Sequence, residues 1–500
     1  MKAMTEEGGL RVLWLTRTAA EVTHVARELR ALGARPFYGR RVLCVFDPVS
    51  RVDEDRFSAT CKAVRVSHRC PYWPGRPQKP ISLDSVVAEL KEIGKRLWTC
   101  PYELQLKSIP FTSFLVATHR QLQAVGWLLG RWRADREKTV LVIDEAQNLL
   151  LGALEMVRDE ISLTTLLRAA KEAEKYGFPE LSRQLREAAK KYEEVATANG
   201  EVEVDDLLPD WEELLLVGEE IQERKLRDGI VPASWTLRIS DFKTSLGGEK
   251  PLLTREGEKI RLLALQDPVE HLRRVLEGWA RVVLMSATIS SDFIEALLGE
   301  EVTLLRAGWP GTEDEGPETT YCLVSGLTTK FEARDEVMIE RIQRLIKEVA
   351  EKVRSHGWGV LVFFPSYELL EWTKEGADDD VLLWEVKGAS QEEVDSLIRE
   401  FTSRQGGRVL CAVAGGRLSE GVDLPADLVI VVGVPFSPPT PRQERLIKRL
   451  REKAWKYAIA LPAVWKTIQA TGRAVRKPDD SAVVLLVDDR YQHLHPLFPR

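Results

Sequence analysis

The sequence has 500 residues, too many for one compact core, and its length predicts three or four domains of about 100–200 residues. Hydrophobic residues make up 44% and charged residues 30% of the chain, and no apolar run approaches the roughly 20 residues that a membrane helix needs. Met1–Gly9 shows no apolar secretory segment behind a basic start. We therefore expect a monomeric, cytoplasmic, multidomain protein that does not enter membranes.

The formal net charge of −6 is unevenly distributed. Leu151–Asp228 contains 20 acidic and 11 basic residues, a net charge of −9, which leaves +3 for the rest of the chain. Arg40–Lys107 contains 13 basic and 8 acidic residues, a net charge of +5. The acidic total therefore does not exclude nucleic acid, because this basic segment could face phosphates.

Apolar, β-branched runs followed by helical patterns predict two α/β domains with parallel sheets. In the first domain a helix is expected near Ala19–Leu32, and the predicted strands are Arg11–Leu15, Thr139–Ile143 and Arg281–Met285. The predicted strands of the second domain are Gly359–Phe364, Arg408–Ala414, Leu428–Val434 and Ala482–Val487. Polar residues or glycines follow these runs, where α/β proteins bind ligands.

Two segments of the first domain lack this alternation. Leu151–Leu253 carries one apolar stripe with a period of 3.6 residues, formed by Leu181, Leu185, Ala188, Ala189, Tyr192 and Val195, and we predict a helical insertion there. Cys44–Cys100 is rich in proline and is predicted to be an irregular insertion. We assign residues 1–43, 101–150 and 254–300 to the first α/β domain, 44–100 and 151–253 to its insertions, and 301–500 to the second domain.

The first chemical motif is Asp144-Glu145-Ala146-Gln147, directly after an apolar strand. One carboxylate can hold Mg²⁺ while its neighbour orients or deprotonates the water that attacks a γ-phosphate. Asp-Glu after a strand is also common in solvated loops, so the local pattern alone does not decide between the two interpretations.

The second motif is Gln469-Ala-Thr-Gly-Arg473-Ala-Val-Arg476, whose spacing places its polar side chains on one helical face. Such arginines can neutralise charge on a transferring phosphoryl group, although a basic surface helix is the alternative. Ser286-Ala-Thr288 and Ser419–Asp423 also follow apolar strands, and both suit loops that link nucleotide state to strand binding. Each could equally be an ordinary cap or turn.

Four of the six cysteines, Cys44, Cys61, Cys70 and Cys100, fall within 57 residues. Four thiolates are the usual ligands of a 4Fe-4S cluster. Zinc is the main rival, but structural zinc sites more often contain Cys-x₂₋₄-Cys pairs, and absence of any metal is the third possibility. Cys322 and Cys411 lie in strand-like surroundings and are predicted to be ordinary apolar side chains.

The order of these elements resembles the XPD family of superfamily 2 DNA helicases over almost the whole chain. Its motifs are matched in order by Leu15–Thr18, Cys100–Leu104, Asp144–Leu149, Leu284–Thr288, Ser419–Asp423 and Gln469–Arg476. The resemblance implies two RecA-like motor domains, a 4Fe-4S cluster domain and a helical arch domain, which enclose single-stranded DNA near a fork. It also implies ATP-driven 5′ to 3′ movement and a role in DNA repair.

The resemblance assigns roles to individual residues. Asp144 would serve Mg²⁺, Glu145 would be the catalytic base, and Arg17 and Thr18 would contact the DNA backbone. The nucleotide-binding candidates in the second motor domain are Asp423, Gln469, Arg473 and Arg476.

Two departures from the family pattern matter. Gln147 stands where the family usually has histidine, and no Gly-x₄-Gly-Lys-Ser/Thr occurs in the 500 residues. In this family that phosphate loop lies upstream of the segment matched by Arg11–Thr18, so we expect the ATP site to be incomplete as written. Three hypotheses follow: an ATP-dependent DNA helicase whose sequence begins late, a nonmotor DNA-binding protein derived from a helicase, and an RNA-directed motor.

Overall fold

The computed structural model describes residues 9–73, 87–147, 159–195, 200–246, 250–256, 259–264, 268–286, 291–299, 318–377, 379–389, 391–403, 407–416, 424–437, 441–472 and 481–498, with the single positions 303, 305, 418 and 474. The chain divides into two compact units, Met1–Ile289 and Ser290–Arg500. No helix within the described ranges is long and apolar enough to span a membrane.

The described strands form three sheets. In chain order they are β1 (Arg11–Thr16), β2 (Ala34–Pro36), β3 (Phe114–Thr118), β4 (Thr139–Ile143), β5 (Asp159–Ser162), β6 (Gly200–Glu201), β7 (Leu252–Glu256), β8 (Lys259–Ala264), β9 (Arg281–Leu284), β10 (Glu318–Val324), β11 (Gly359–Phe364), β12 (Leu382–Trp384), β13 (Arg408–Val413), β14 (Leu428–Val432) and β15 (Ser481–Val487).

The described α-helices lie before, between and after these strands along the chain. They are α1 (Ala19–Glu28), α2 (Arg40–Leu43), α3 (Asp47–Ser50), α4 (Glu54–Val66), α5 (Val87–Leu97), α6 (Pro101–Ser108), α7 (Val125–Trp132), α8 (Leu163–Lys175), α9 (Pro179–Val195), α10 (Val204–Leu207), α11 (Trp211–Arg227), α12 (Trp235–Ser245), α13 (Pro268–Leu276), α14 (Ser291–Leu298), α15 (Glu336–His356), α16 (Tyr367–Lys374), α17 (Gln391–Ser403), α18 (Pro441–Leu450), α19 (Leu461–Thr471) and α20 (Tyr491–Leu494).

The first unit contains a parallel sheet with the strand order β2-β3-β1-β4-β9. All of β4, and β1 from Val12 onwards, is buried, as expected when helices cover both faces of a parallel sheet. The edge strand β9 differs, because Val282 is 38% and Val283 42% exposed. The predicted α/β sheet is therefore confirmed, with one apolar strand at its border.

The second unit contains a six-stranded parallel sheet with the order β10-β15-β14-β11-β13-β12. Helix α15 begins where the Asp335 side chain accepts a hydrogen bond from the Met338 N–H, and ends at Gly357, which has a left-handed φ of 69°. Its buried stripe packs against the fully buried strand β11. The second predicted parallel-sheet domain is likewise confirmed.

The segment between β4 and β9 adds a sheet to the predicted helices. The stripe on α9 is buried from Leu181 to Tyr192, as the periodicity predicts. The antiparallel sheet β5-β8-β7-β6 was not predicted, and α8 and α12 pack in one core with β5, β7 and β8. Strand β5 pairs with β8, where Asp159 lies opposite Ala264, a residue far from it along the chain. Pairing between such distant segments leaves no local sequence pattern.

Candidate nucleotide and DNA site

The carboxylates of Asp144 and Glu145 follow β4, as expected from the apolar run. The Asp144 N–H donates to the Leu15 carbonyl at 2.9 Å, and the Ala146 N–H donates to the Met285 carbonyl at 2.8 Å. The loop after β4 is thereby held between the ends of β1 and β9. Glu145 has a φ of 50°, an uncommon value for a non-glycine residue that is found more often at functional sites.

Burial shapes the electrostatics of this loop. It raises the pKa of Asp144, a change that the nearby carboxylates Glu145 and Glu21 reinforce and the Glu145 N–H opposes at 2.9 Å. The Gln147 side chain donates to Glu145, while its own carbonyl oxygen is buried without a partner among the described residues. A cation would relieve the crowding of negative charge at this point.

His119 was missed by sequence reasoning, although it directly follows β3. Its Nε2 lies 3.0 Å from the Asp144 carbonyl oxygen, and burial lowers the pKa of its imidazole. A neutral imidazole at this position supports the loop that carries Asp144 and Glu145 without adding a positive charge. No motif marked it, because only the pairing of β3 with β1, next to β4, brings it there.

Arg17 and Thr18 lie at the exposed carboxyl end of β1, where α1 begins. The Thr18 side chain accepts from the Glu21 N–H, and the Glu21 carboxylate accepts from the Arg17 and Thr18 N–H groups at 2.9 and 3.2 Å. Thr-x-x-Glu is a capping box that the sequence could have revealed. Glu21 therefore occupies both of these backbone N–H donors.

Only part of the predicted second-unit site is described. Gln469 is half-buried near the end of α19, whereas Arg473, Arg476 and the Ser419–Asp423 loop, including Asp423, lie outside the described residues. The helix is positioned by the Thr467 hydroxyl, which lies 3.1 Å from the Tyr491 hydroxyl, and Tyr491 donates to the Gly433 carbonyl at the end of β14. Ser286 is described, but Ala287 and Thr288 are not.

The four predicted cluster ligands line one cavity. Cys44 follows α2, Cys61 lies within α4, Cys70 follows α4, and Cys100 precedes α6. All four are half-buried free thiols, and Arg40, Phe46, Val49, Tyr72 and Trp73 complete much of the lining. The fold thus brings together cysteines that are up to 56 positions apart.

Burial opposes ionisation of the cavity thiols. Burial raises the pKa of Cys44 to about 11 and raises that of Cys100, while backbone N–H groups and Arg40 act in the opposite direction at Cys100. In the described part of the chain, no group of three or more His, Cys, Asp or Glu side chains is arranged to hold a metal ion, so the structure does not itself show a metal centre.

The two insertions contact each other at Trp235 and Leu226. The guanidinium groups of Arg56 on α4 and Arg168 on α8 lie over the Trp235 ring on α12, at 3.7 and 4.8 Å from the ring centroid. Leu226 on α11 also packs against the small core around Cys44, Cys61 and Cys70. The cysteine segment and the acidic segment are therefore in direct contact.

Comparisons with known proteins agree with this fold. A DEAD_2 domain matches residues 14–166, and a helicase C-terminal domain matches residues 348–497. The ATP-dependent DNA helicase XPD of Sulfolobus acidocaldarius is 24% identical over 82% of this chain and 75% of its own length. The ATP-dependent DNA helicase CHL1 of Eremothecium gossypii is 22% identical over 96% of this chain and 71% of its own length.

Solved structures give the same result. An XPD helicase superposes with a TM-score of 0.73 at 20% identity, covering 97% of this chain and 89% of that one. Xpd4 of S. tokodaii superposes with a TM-score of 0.64 at 19% identity, covering 99% and 90% of the two chains. Two parallel sheets with carboxylates after a buried strand, matched by both helicase domains, define a superfamily 2 helicase fold. Within that superfamily, the chain belongs to the XPD family.

Proposed function

We propose that this chain is the motor of an ATP-dependent DNA helicase of the XPD type, which moves 5′ to 3′ on single-stranded DNA and opens forked duplexes during repair. The observation that carries the proposal is the convergence of Asp144, Glu145 and His119 at the carboxyl ends of β4 and β3, next to Arg17 at the end of β1. The relatives named above are ATP-dependent DNA helicases, which supports the same activity.

The two carboxylates would have different roles in ATP hydrolysis. Asp144 would hold Mg²⁺, which supplies positive charge to the phosphates when bound. Glu145 would orient the attacking water and accept its proton. His119 and the backbone contacts to Leu15 and Met285 would keep both carboxylates in place.

The second motor domain would supply the opposing charge. By the family resemblance, Gln469, Arg473 and Arg476 contact the nucleotide phosphates, and Asp423 belongs to the same nucleotide site. The arginines would neutralise charge that develops on the transferring phosphoryl group.

The cysteine-lined cavity would hold a 4Fe-4S cluster through Cys44, Cys61, Cys70 and Cys100. Its support is the shared cavity and the composition of the lining, in which the described residues include four thiols and no carboxylate. Four metal–thiolate bonds would tie α2, α4 and the start of α6 together, in a segment whose buried apolar core is small.

The phosphate loop remains to be accounted for, since no Gly-x₄-Gly-Lys-Ser/Thr occurs in these 500 residues. The outer edge of β9 offers a place for a further parallel strand, because Val282 and Val283 are exposed there and β9 directly neighbours β4. A strand at this edge could deliver a phosphate loop next to Asp144 and Glu145. We expect the 500-residue chain alone to bind DNA but to hydrolyse little ATP.

The test compares this chain with a version that is extended at its N-terminus. The extension carries a β-strand followed by a Gly-x₄-Gly-Lys-Ser/Thr phosphate loop. The extended chain should gain DNA-stimulated ATP hydrolysis, lose it on Glu145→Gln, and unwind a fork with a 5′ tail in preference to one with a 3′ tail. Hydrolysis by the unextended chain that Glu145→Gln abolishes would show that another element binds the phosphates.

The second candidate is a DNA-binding iron–sulfur protein without ATPase activity. The absence of the phosphate-loop motif from the sequence favours it. It predicts that both versions bind single-stranded DNA and that neither hydrolyses ATP. A matched RNA strand in the binding assay tests the third hypothesis, because motor contacts to the backbone do not by themselves distinguish sugars.

A further inference from the structure

Trp98 is an exposed tryptophan in a strained backbone conformation. It follows α5 and precedes Cys100 by two residues, its φ is 50°, and 57% of its surface is accessible. A bulky residue with positive φ is an outlier that persists only where its surroundings impose it. The left-handed residue also ends α5, because the Thr99 N–H beyond it donates back to the Gly94 carbonyl.

A ring contact and backbone hydrogen bonds hold the segment that carries Trp98. The Trp98 ring stacks on Tyr72 with centroids 5.8 Å apart and an interplanar angle of 16°. The Cys100 N–H donates to the Tyr72 carbonyl at 2.9 Å, and the Thr99 N–H donates to the Gly94 carbonyl at 3.0 Å. We name the Trp98–Tyr72 pair the aromatic platform; the hydrogen bond from Cys100 to Tyr72 joins the two segments that carry its rings.

The residues near Trp98 along the chain are tightly packed. Thr99 is fully buried, and a Cβ atom on Gly94 would lie 2.4 Å from the Pro101 ring. Tyr72 also lines the cysteine cavity. Tyr72 therefore connects the platform to the cysteine cavity, while Trp98 remains accessible to solvent.

The two described segments that carry the platform are basic. Residues 61–73 contain three basic and no acidic residues, and residues 87–100 contain three basic and two acidic residues, for a net charge of +4. Lys62, Arg69, Lys95 and Arg96 are exposed, and Lys95 pairs with Glu92. Proteins that bind single strands without sequence preference combine these two features: basic residues for the phosphates and aromatic rings on which bases stack.

We propose that the aromatic platform binds an unpaired nucleobase of single-stranded DNA by stacking on Trp98, while the surrounding lysines and arginines hold the flanking phosphates. This proposal rests on the proposed function, since it names a contact for the strand that the motor would follow. An apolar protein partner is the competing occupant, but a positive rim matches a polyanion better.

The test separates base stacking from charge. Binding of a fluorescent oligothymidylate of about 20 nucleotides is compared with binding of an abasic strand of equal length, at one fixed salt concentration. Trp98→Ala should weaken binding of oligothymidylate about tenfold and should change binding of the abasic strand by less than about twofold. Trp98→Phe should recover most of the difference, because phenylalanine retains a face for stacking.

The control is Phe111→Ala. Phe111 is 77% exposed and lies before β3, at the opposite end of the strand from His119. This substitution should leave binding of both strands unchanged. Equal losses for the two strands with Trp98→Ala, or no loss for either, would overturn the stacking proposal, and the second result would favour a protein occupant. Failure of the unaltered chain to bind either strand would instead overturn the proposed function.

Discussion

The Glu172 carboxylate is the most heavily hydrogen-bonded group in the acidic segment that the structure describes. Buried on α8, it accepts from the Lys225 ammonium, the Ser234 hydroxyl, the Trp235 and Thr236 N–H groups and the Thr236 hydroxyl. The two N–H groups belong to the first turn of α12, where helices leave donors without intrahelical partners. Glu172 therefore fixes the start of α12 and neutralises a buried lysine.

Replacing Glu172 with Gln should destabilise this segment strongly. The amide keeps the size of the side chain, but it removes the charge opposite the buried Lys225 and turns an NH₂ group towards other donors. Removing one partner of a buried ion pair costs about 3–5 kcal/mol, a large part of the roughly 5–15 kcal/mol that stabilises a typical domain. Glu180→Gln is the control, because Glu180 and its partner Arg183 are exposed.

The loss should be visible at Trp235. Since Trp235 begins α12 and its ring contacts the guanidinium of Arg56 in the other insertion, loosening that helix should weaken the contact between the two insertions. Denaturant unfolding followed by fluorescence should show the lower free energy, and hydrogen exchange should show faster opening of peptides from α12. If Glu172→Gln matches Glu180→Gln in both measurements, the carboxylate does not hold the segment together.

Two further predictions concern the cavity and the carboxylate loop. Cys100→Ser should remove iron and the absorbance near about 400 nm, whereas Cys322→Ser should retain both; bound zinc without iron in the unaltered chain would refute the cluster. Because burial lowers the pKa of His119 from 6.5, the unfolded state binds more protons below that pH. The free energy of unfolding should therefore fall as the pH drops through 6.5, by at most about 1.4 kcal/mol per pH unit, and less steeply in His119→Asn. Equal slopes in denaturation experiments at several pH values would contradict this account.

The motor strands could be predicted because their signal is local. Strands β4 and β11 match their predicted bounds, since each is an apolar run in a parallel sheet buried on both faces and stops where polar residues begin. The position of Asp144 and Glu145 directly after β4 can also be predicted from the sequence alone. The roles assigned to the site residues stay predictions, because neither the fold nor the comparisons test them.

Other features depend on contacts that a sequence does not display. Residues that lie far apart along the chain meet where β5 pairs with β8, and where β3 carries His119 to the carboxylate loop. The left-handed backbone at Trp98 could not be predicted from the sequence either, because tryptophan is not a residue type favoured in that conformation. These are the places where tertiary packing overrides local preference.

Strand β9 shows how pattern and position diverge. Its run of valines reads as an interior strand, yet the structure places it at the edge of the sheet with Val282 and Val283 exposed. An apolar, unpaired edge is costly in water and prone to pairing with another strand. Strand β9 pairs with β4, which Asp144 follows. If the strand proposed to carry a phosphate loop paired with β9, it would cover these valines and so stabilise the sheet while bringing that loop near the candidate carboxylates.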